Sequence, residues 1–163
     1  MPAGRPPSAH LLRTLAAVAP GSRVVDAACG DGRHLGPLAL LDFDVWAAAA
    51  GDPAPARRQL AAAMQEAAAQ QRVVQAGPDA LGYPDAWADW VVLADVARDT
   101  LAGALAEAGR VLRPGGWVWV EVAPGEEGAL SDAARAAGLA LAEPPAAEDG
   151  RVHAIYRRPG DVG

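Results

Sequence analysis

The chain alternates short apolar runs with segments that repeat apolar residues at helical spacing. An apolar run of about five residues is typical of a parallel strand that is covered on both faces. The segments between the runs carry apolar side chains three or four positions apart, as amphipathic helices do. This pattern predicts strands over residues 23–27, 43–48, 72–76, 90–94 and 117–122.

Caps and breakers place the helices between these strands. Ser8 can cap a first helix, which Pro20 and Gly21 stop. Pro53 and Pro55 favour the start of one long helix. The long helix is predicted over residues 56–70. The other helices are predicted over residues 32–41, 101–111 and 130–137.

The end of the chain is predicted to form a β-hairpin. Residues 139–142 and 152–157 pair across the polar loop Glu148-Asp149-Gly150. Alternating strands and helices with continuous apolar strands predict an α/β fold, a doubly wound and mostly parallel sheet whose last strand is antiparallel. We expect one domain over residues 1–163, without a repeat or a linker.

Charge and composition narrow the possible partners. The formal net charge of −6 argues against nucleic acid and against an anionic membrane surface, because both attract basic proteins. No apolar run is long enough to span a bilayer and the N-terminus lacks the core of a signal peptide, so we expect a cytoplasmic protein. One cysteine, Cys29, and three histidines far apart in sequence predict neither a disulfide nor a metal site.

The turn after the first strand carries the main functional signal. Asp26 ends the strand, and small residues follow it up to Gly30 and Gly32. A strand, a turn of small residues and a helix form the arrangement by which α/β domains bring backbone close to a small ligand. The spacing differs from the dinucleotide-binding pattern, because Leu35 stands where that pattern has a third glycine.

Four motifs in one order make the chain similar to the class I S-adenosylmethionine-dependent methyltransferases. The sequence DAACGDGRH, which begins at Asp26, resembles the D-x-A-C-G-x-G-R-H of bacterial enzymes that act on small molecules. The resemblance extends from about Ser8 to Arg158, nearly the whole chain. The other motifs are residues 38–45, similar to L-A-x-x-G-F-x-V; residues 83–92, similar to F-P-D and F-D-x-V-V; and residues 111–118, similar to L-x-P-G-G.

The resemblance implies a fold, a cofactor and a reaction. The fold is a seven-stranded, Rossmann-like methyltransferase sheet, and S-adenosylmethionine lies over the carboxyl ends of its first strands. The reaction is methyl transfer to a small-molecule acceptor. By the same resemblance, Asp26 lies near the methionine ammonium of the cofactor, and the turn that adjoins the cofactor contains Ala28, Cys29, Gly30 and Gly32.

Two positions depart from the family pattern. The acid that holds the ribose at the end of the second strand falls on Ala49, and Asp52 can replace it only if the loop reaches back. After the third strand, the acceptor and the N–H for adenine fall on Gly77 and Pro78, although proline has no N–H. A shorter loop places Asp79 there instead, and both alignments stay open.

Two residues are candidates for catalysis. His34 lies beside the predicted pocket and has a near-neutral intrinsic pKa, so it is either a general base or a residue that caps and packs. Asp95 follows the fourth strand, where acceptors approach in the family, and is otherwise a solvated loop carboxylate. Because no lid segment is evident, we expect a shallow site or one that a second subunit completes, which makes a homodimer possible.

Three functions compete at this stage. The first is an S-adenosylmethionine-dependent methyltransferase. The second is a catalytically silent relative that serves as a binding or interaction module, which Ala49 and the Gly77-Pro78 pair suggest. The third is a nicotinamide-dependent oxidoreductase, and the missing third glycine argues against it.

Overall fold

The computed structural model describes residues 5–160, and within that range the strands form one seven-stranded sheet. The order in the sheet is β3-β2-β1-β4-β5-β7-β6. The first five strands are parallel to one another, and β7 runs antiparallel to both β5 and β6. The strands are β1 Arg23–Asp26, β2 Asp44–Ala49, β3 Val73–Gln75, β4 Ala88–Leu93, β5 Leu112–Val122, β6 Ala140–Glu148 and β7 Arg151–Arg157.

Helices cover both faces of the sheet. Among residues 5–160, no helix is long and apolar enough to cross a bilayer. The helices are α1 Ala9–Ala16, α2 Leu35–Leu40, α3 Ala54–Ala61, α4 Glu66–Arg72, α5 Leu101–Val111 and α6 Glu127–Ala136. The first four pack on one face and the last two on the other.

The central strands are apolar at successive positions because both of their faces are buried. Val24 packs with the helices α1 to α4, whereas its neighbour Val25 packs with α5 and α6. Both side chains are fully buried. The predicted seven-stranded, mostly parallel sheet with an antiparallel last strand is therefore confirmed.

The prediction of one long helix over residues 56–70 is wrong. The segment forms two helices, α3 and α4, because Gln65 adopts an extended conformation (φ −61°, ψ 139°) between them. The break lets α4 lead directly into β3, and Arg57 of α3 donates two hydrogen bonds to the carbonyl of Val73 (3.1 and 2.9 Å). No glycine or proline marks the break, so helical propensity alone did not reveal it.

The edge strand β6 is longer than its predicted range of 139–142. It continues through Pro144 and Pro145 to Glu148, with irregular pairing between Leu141 and Ala146. Proline cannot donate to a ladder, and it is tolerated here because β6 pairs with β7 alone. The hairpin with its turn at Asp149 and Gly150 agrees with the prediction.

Candidate active site

A buried carboxylate stands at the carboxyl end of β1. Asp26 lies beside Ala47 of β2 and Val92 of β4 in the register of the sheet. It is fully buried, and neither of its carboxylate oxygens has a hydrogen-bond partner among residues 5–160. Burial raises the pKa of Asp26 to about 7, although the Ala28 amide, which lies nearby without hydrogen-bond geometry, and the charge of Arg33 act in the opposite direction. Because buried polar atoms are seldom left unpaired, this carboxylate is suited to a cationic or hydrogen-bond-donating ligand.

The turn after Asp26 is held by backbone hydrogen bonds. The Cys29 N–H donates to the carbonyl of Ala48 (3.0 Å), and the Gly32 N–H donates to the carbonyl of Cys29 (2.8 Å). Gly30 is exposed with φ +54°, and a Cβ atom placed on it would meet no atom within 4 Å. The turn therefore presents open backbone at Gly30. Burial raises the pKa of the Cys29 thiol, which leaves Cys29 a packing residue of the turn.

Position 32 requires glycine because of packing within the protein. Its φ is +93°, and a Cβ atom on it would lie 2.8 Å from the Cα atom of Ala56 in α3. The close approach of the turn to α3 requires glycine at this position. A contact between the Gly32 backbone and the cofactor stays a prediction.

The two glycines should respond differently to substitution. We expect Gly32→Ala to destabilise the fold by about 2–5 kcal/mol, because a left-handed backbone conformation and a steric overlap with α3 add together. Gly30→Ala meets only the conformational cost, about 1–2 kcal/mol. Urea denaturation of both variants measures the difference, and equal losses would contradict the packing role of Gly32.

The end of β2 carries no acid. Ala49 is buried there, and Asp52 lies in the exposed loop that follows. One carboxylate oxygen of Asp52 accepts a hydrogen bond from the Ala54 N–H (3.0 Å) at the start of α3. Asp52 therefore stabilises the start of a helix, and its contact with a ribose stays a prediction.

Asp79 lies in the loop between β3 and β4, and its side chain packs against the first turn of α5. A Cβ atom on Gly103 of that helix would lie 3.0 Å from the Cβ of Asp79, and one on Gly77 would lie 2.9 Å from its Oδ1. The Ala80 N–H closes the loop on the carbonyl of Gly77 (3.1 Å). Asp79 is exposed, so its carboxylate remains available to a ligand at this edge.

His34 anchors the N-terminal segment. Its ring is buried, and its Nε2 accepts a hydrogen bond from the Ser8 N–H (3.0 Å). Burial lowers the pKa of His34 to about 3, so the ring is neutral. The lone pair that a general base needs is occupied by Ser8 in this conformation. The predicted catalytic role of His34 thus finds no support in the geometry.

Asp95 follows the carboxyl end of β4, on the same side of the sheet as Asp26. It has a positive φ of 56°, which is uncommon for a residue other than glycine and recurs at functional sites. Its exposed carboxylate pairs with Arg5 of the N-terminal segment (3.0 Å) and with Arg151 of β7. Asp95 therefore positions two guanidinium groups, and its catalytic role stays a prediction.

The sequence analysis missed a buried contact between a glutamate of β5 and a histidine of β7. Glu121 of β5 and His153 of β7 are cross-strand partners, each 2% exposed, and the Oε2 and Nε2 atoms lie 3.1 Å apart. The other oxygen of Glu121 accepts a hydrogen bond from Arg33 (3.1 Å), which directly follows Gly32. The signal in the sequence is one acid in the apolar run WVWVEV and one histidine in VHAIY, but their pairing depends on the register.

Aromatic rings enclose this pair. The His10 ring stacks on His153 with 4.6 Å between centroids, and the Trp119 indole N–H donates to Nδ1 of His10 (3.0 Å). Burial and, next, the charge repulsion from His153 lower the pKa of His10. The His153 ring is therefore fixed between two rings and one carboxylate.

A sequence-family match covers the part of the chain that contains Asp26 and its turn. The family described as methyltransferase domain matches residues 25–120, from β1 to β5. This chain belongs to the methyltransferase-domain family. The match includes Asp26, its turn and Asp95, whereas β7 with His153 lies outside it. No curated protein matches the chain.

Solved structures share the fold of this methyltransferase domain. A TehB-like SAM-dependent methyltransferase from Corynebacterium glutamicum is 24% identical, with 90% of this chain and 86% of that one covered and a TM-score of 0.70. The 1,6-didemethyltoxoflavin-N1-methyltransferase of Burkholderia thailandensis, solved with its substrate and S-adenosylhomocysteine, is 20% identical, with 91% and 78% covered and a TM-score of 0.71. The [4+2]-cyclase SpnF is 16% identical, with 93% and 80% covered and a TM-score of 0.74. At these identities the likeness establishes the fold.

Proposed function

We propose that the chain is an S-adenosylmethionine-dependent methyltransferase that transfers a methyl group to a small-molecule acceptor. The observation that carries the proposal is the buried, unpartnered carboxylate of Asp26 beside open backbone at Gly30. Family membership supports it, and so does the S-adenosylhomocysteine bound to the 1,6-didemethyltoxoflavin-N1-methyltransferase, which has the same fold.

The residues present suit the methionine end of this cofactor. Its ammonium would pair with Asp26, and the turn of Ala28, Cys29, Gly30 and Gly32 would adjoin it. The cofactor supplies an activated methyl group on a sulfonium, which is already a good leaving group. The protein therefore contributes alignment of the acceptor and exclusion of water from the site.

The adenosine end has fewer charged contacts than the family pattern offers. Asp52 and Asp79 are the acids that we propose for it, since Ala49 offers none. Loss of one charged hydrogen bond costs about 1.5–3 kcal/mol. Weak cofactor binding would favour the second candidate function, a silent binding module, and the [4+2]-cyclase shows by its name that the fold is not confined to methyl transfer.

Calorimetry tests the proposal directly. We expect S-adenosylmethionine and S-adenosylhomocysteine to bind the wild-type protein, and Asp26→Ala to weaken both by about a hundredfold, because the ammonium loses its charged partner. Asp132→Ala is the matched control, since Asp132 is an exposed acid on α6. No heat from the wild-type protein at millimolar ligand would support the silent module, and unchanged affinity in Asp26→Ala would remove the role of Asp26.

A further inference from the structure

A cavity lies between the N-terminal segment and the β6–β7 hairpin. It measures ≈ 180 Å³ and is lined by residues 5–8, Arg33, Glu121 and the hairpin of β6 and β7. Since one water takes up about 30 Å³ of liquid, the cavity has room for a small organic molecule. One of its lining residues, Arg33, directly follows Gly32 of the turn where the cofactor is proposed to bind.

Three residues around this cavity have unpaired polar atoms. They are Oε2 of Glu148, Nε of Arg151 and Nδ1 of His153, which are buried without a hydrogen-bond partner among residues 5–160. The glutamate oxygen is a hydrogen-bond acceptor, the arginine nitrogen is a donor, and the third atom is a nitrogen of the histidine ring. Unpaired buried atoms are uncommon, and three around one cavity indicate that a ligand with complementary groups belongs there.

The ring nitrogen of His153 is set up to accept a proton. Its Nε2 faces the carboxylate of Glu121, which assigns the hydrogen to Nε2 and leaves the lone pair on Nδ1. Glu121 is in turn held by Arg33 (3.1 Å). A base whose other nitrogen is oriented by a fixed carboxylate is the arrangement used for proton transfer in many enzymes.

The charges that line the cavity balance. Three guanidinium groups, from Arg5, Arg33 and Arg151, stand with three carboxylates, from Glu121, Glu148 and Asp149. An anionic or a cationic ligand would therefore meet like charges as well as opposite ones. An uncharged ligand avoids repulsion by like charges and can still form hydrogen bonds with the unpaired atoms.

We infer that this cavity is the acceptor site of the methyltransferase proposed above, on which the inference rests, and that it takes a small uncharged molecule carrying both a hydrogen-bond donor and an acceptor. The donor is the X–H group that becomes methylated, where X is oxygen or nitrogen. As X forms its bond to the methyl carbon, the proton passes to Nδ1 of His153, and the electrons of the broken S–C bond stay on sulfur. Glu121 acts as a positioning residue.

Ligand binding can be measured without the cofactor. The protein has three histidines, so NMR of histidine-labelled protein resolves three rings, each assigned by one substitution. Benzamide serves as the uncharged probe, with benzoate and benzylamine as charged probes of similar size. We expect benzamide to shift the His153 ring signals and to bind about tenfold more tightly than either charged probe. A shift at His34 alone, or preference for a charged probe, would overturn the inference.

Two variants make the test specific. His153→Gln and Arg151→Lys each remove one unpaired atom, and Arg151→Lys keeps the positive charge beside Asp95. Each is expected to weaken benzamide binding by about tenfold, whereas Arg135→Lys on the exposed face of α6 is the control. If benzamide binding is unchanged in the folded Arg151→Lys protein, the site assignment is wrong.

The cofactor proposal is tested separately by calorimetry. Binding of S-adenosylmethionine without any benzamide shift at His153 would overturn the acceptor site and leave the methyltransferase proposal standing. A benzamide shift without S-adenosylmethionine binding would support the cavity as a binding site and overturn its assignment to a methyl acceptor.

Discussion

Asparagine in place of Asp26 is expected to stabilise the ligand-free protein above pH 7 by as much as about 4 kcal/mol. The carboxyl group is fully buried without a partner, and burial raises its pKa from 3.8 to about 7. Since a tenfold change in an acid dissociation constant corresponds to about 1.4 kcal/mol, this rise in the pKa amounts to about 4 kcal/mol. Asparagine keeps the shape of the side chain and removes the charge.

The pH dependence has a definite sign. Between pH 4 and 7 the unfolded chain releases the proton of Asp26 while the folded protein still holds it, so the free energy of unfolding decreases as the pH rises through this range. Below pH 4 both states hold the proton, and the wild type and the variant should agree. The gain in the Asp26→Asn variant is therefore expected to develop between pH 4 and 7 and to remain constant above.

Urea denaturation at several pH values checks this result. The difference between wild type and variant isolates Asp26 from the other titrating groups, and Asp132→Asn on α6 supplies the exposed control. A variant that is less stable than the wild type at pH 8 would show that the carboxylate has a partner in solution. We also expect S-adenosylmethionine affinity in the wild type to rise up to about pH 7, because the ammonium pairs with the ionised form.

The second large effect concerns Glu121. Glu121→Ala should destabilise the protein by about 3–5 kcal/mol, because it leaves the buried His153 and the partly buried Arg33 without their acceptor. Arg33 and Glu121 form a largely buried ion pair, and removing one member of such a pair is more costly than losing an exposed one. Thermal and urea unfolding measure the loss. Glu143→Ala on the exposed strand β6 is the control, and a loss under 1 kcal/mol for Glu121→Ala would contradict the buried pair.

The fold was predictable from the sequence because its main signals are local. Uninterrupted apolar strands such as β4 require cover on both faces, and Ser8, whose hydroxyl accepts from the Leu11 N–H (3.2 Å), marks the start of α1. The break between α3 and α4 was not predictable, because an alanine-rich segment has no residue that stops a helix there.

The site was predictable only in part. Asp26 and Gly30 carry their signal in one short motif, and the structure places them at the carboxyl end of β1 as expected. Glu121 and His153 stand 32 positions apart and meet only through the antiparallel register of β5 and β7. His34 is the last residue of that motif, and its buried ring accepts a hydrogen bond from the Ser8 N–H. The motif singled out His34, whereas the contact between Glu121 and His153 depends on the register of the sheet.

The two prolines in the outer strand have a consequence for how copies of this molecule meet. Pro144 and Pro145 remove two amide donors from the edge strand β6, and the edge strand on the opposite side, β3, is only three residues long. Neither edge strand offers the regular row of free amide groups to which another chain could add a strand and extend into a fibril. Concentrated solutions should thus resist amyloid-like growth, and any self-association must use side-chain surfaces.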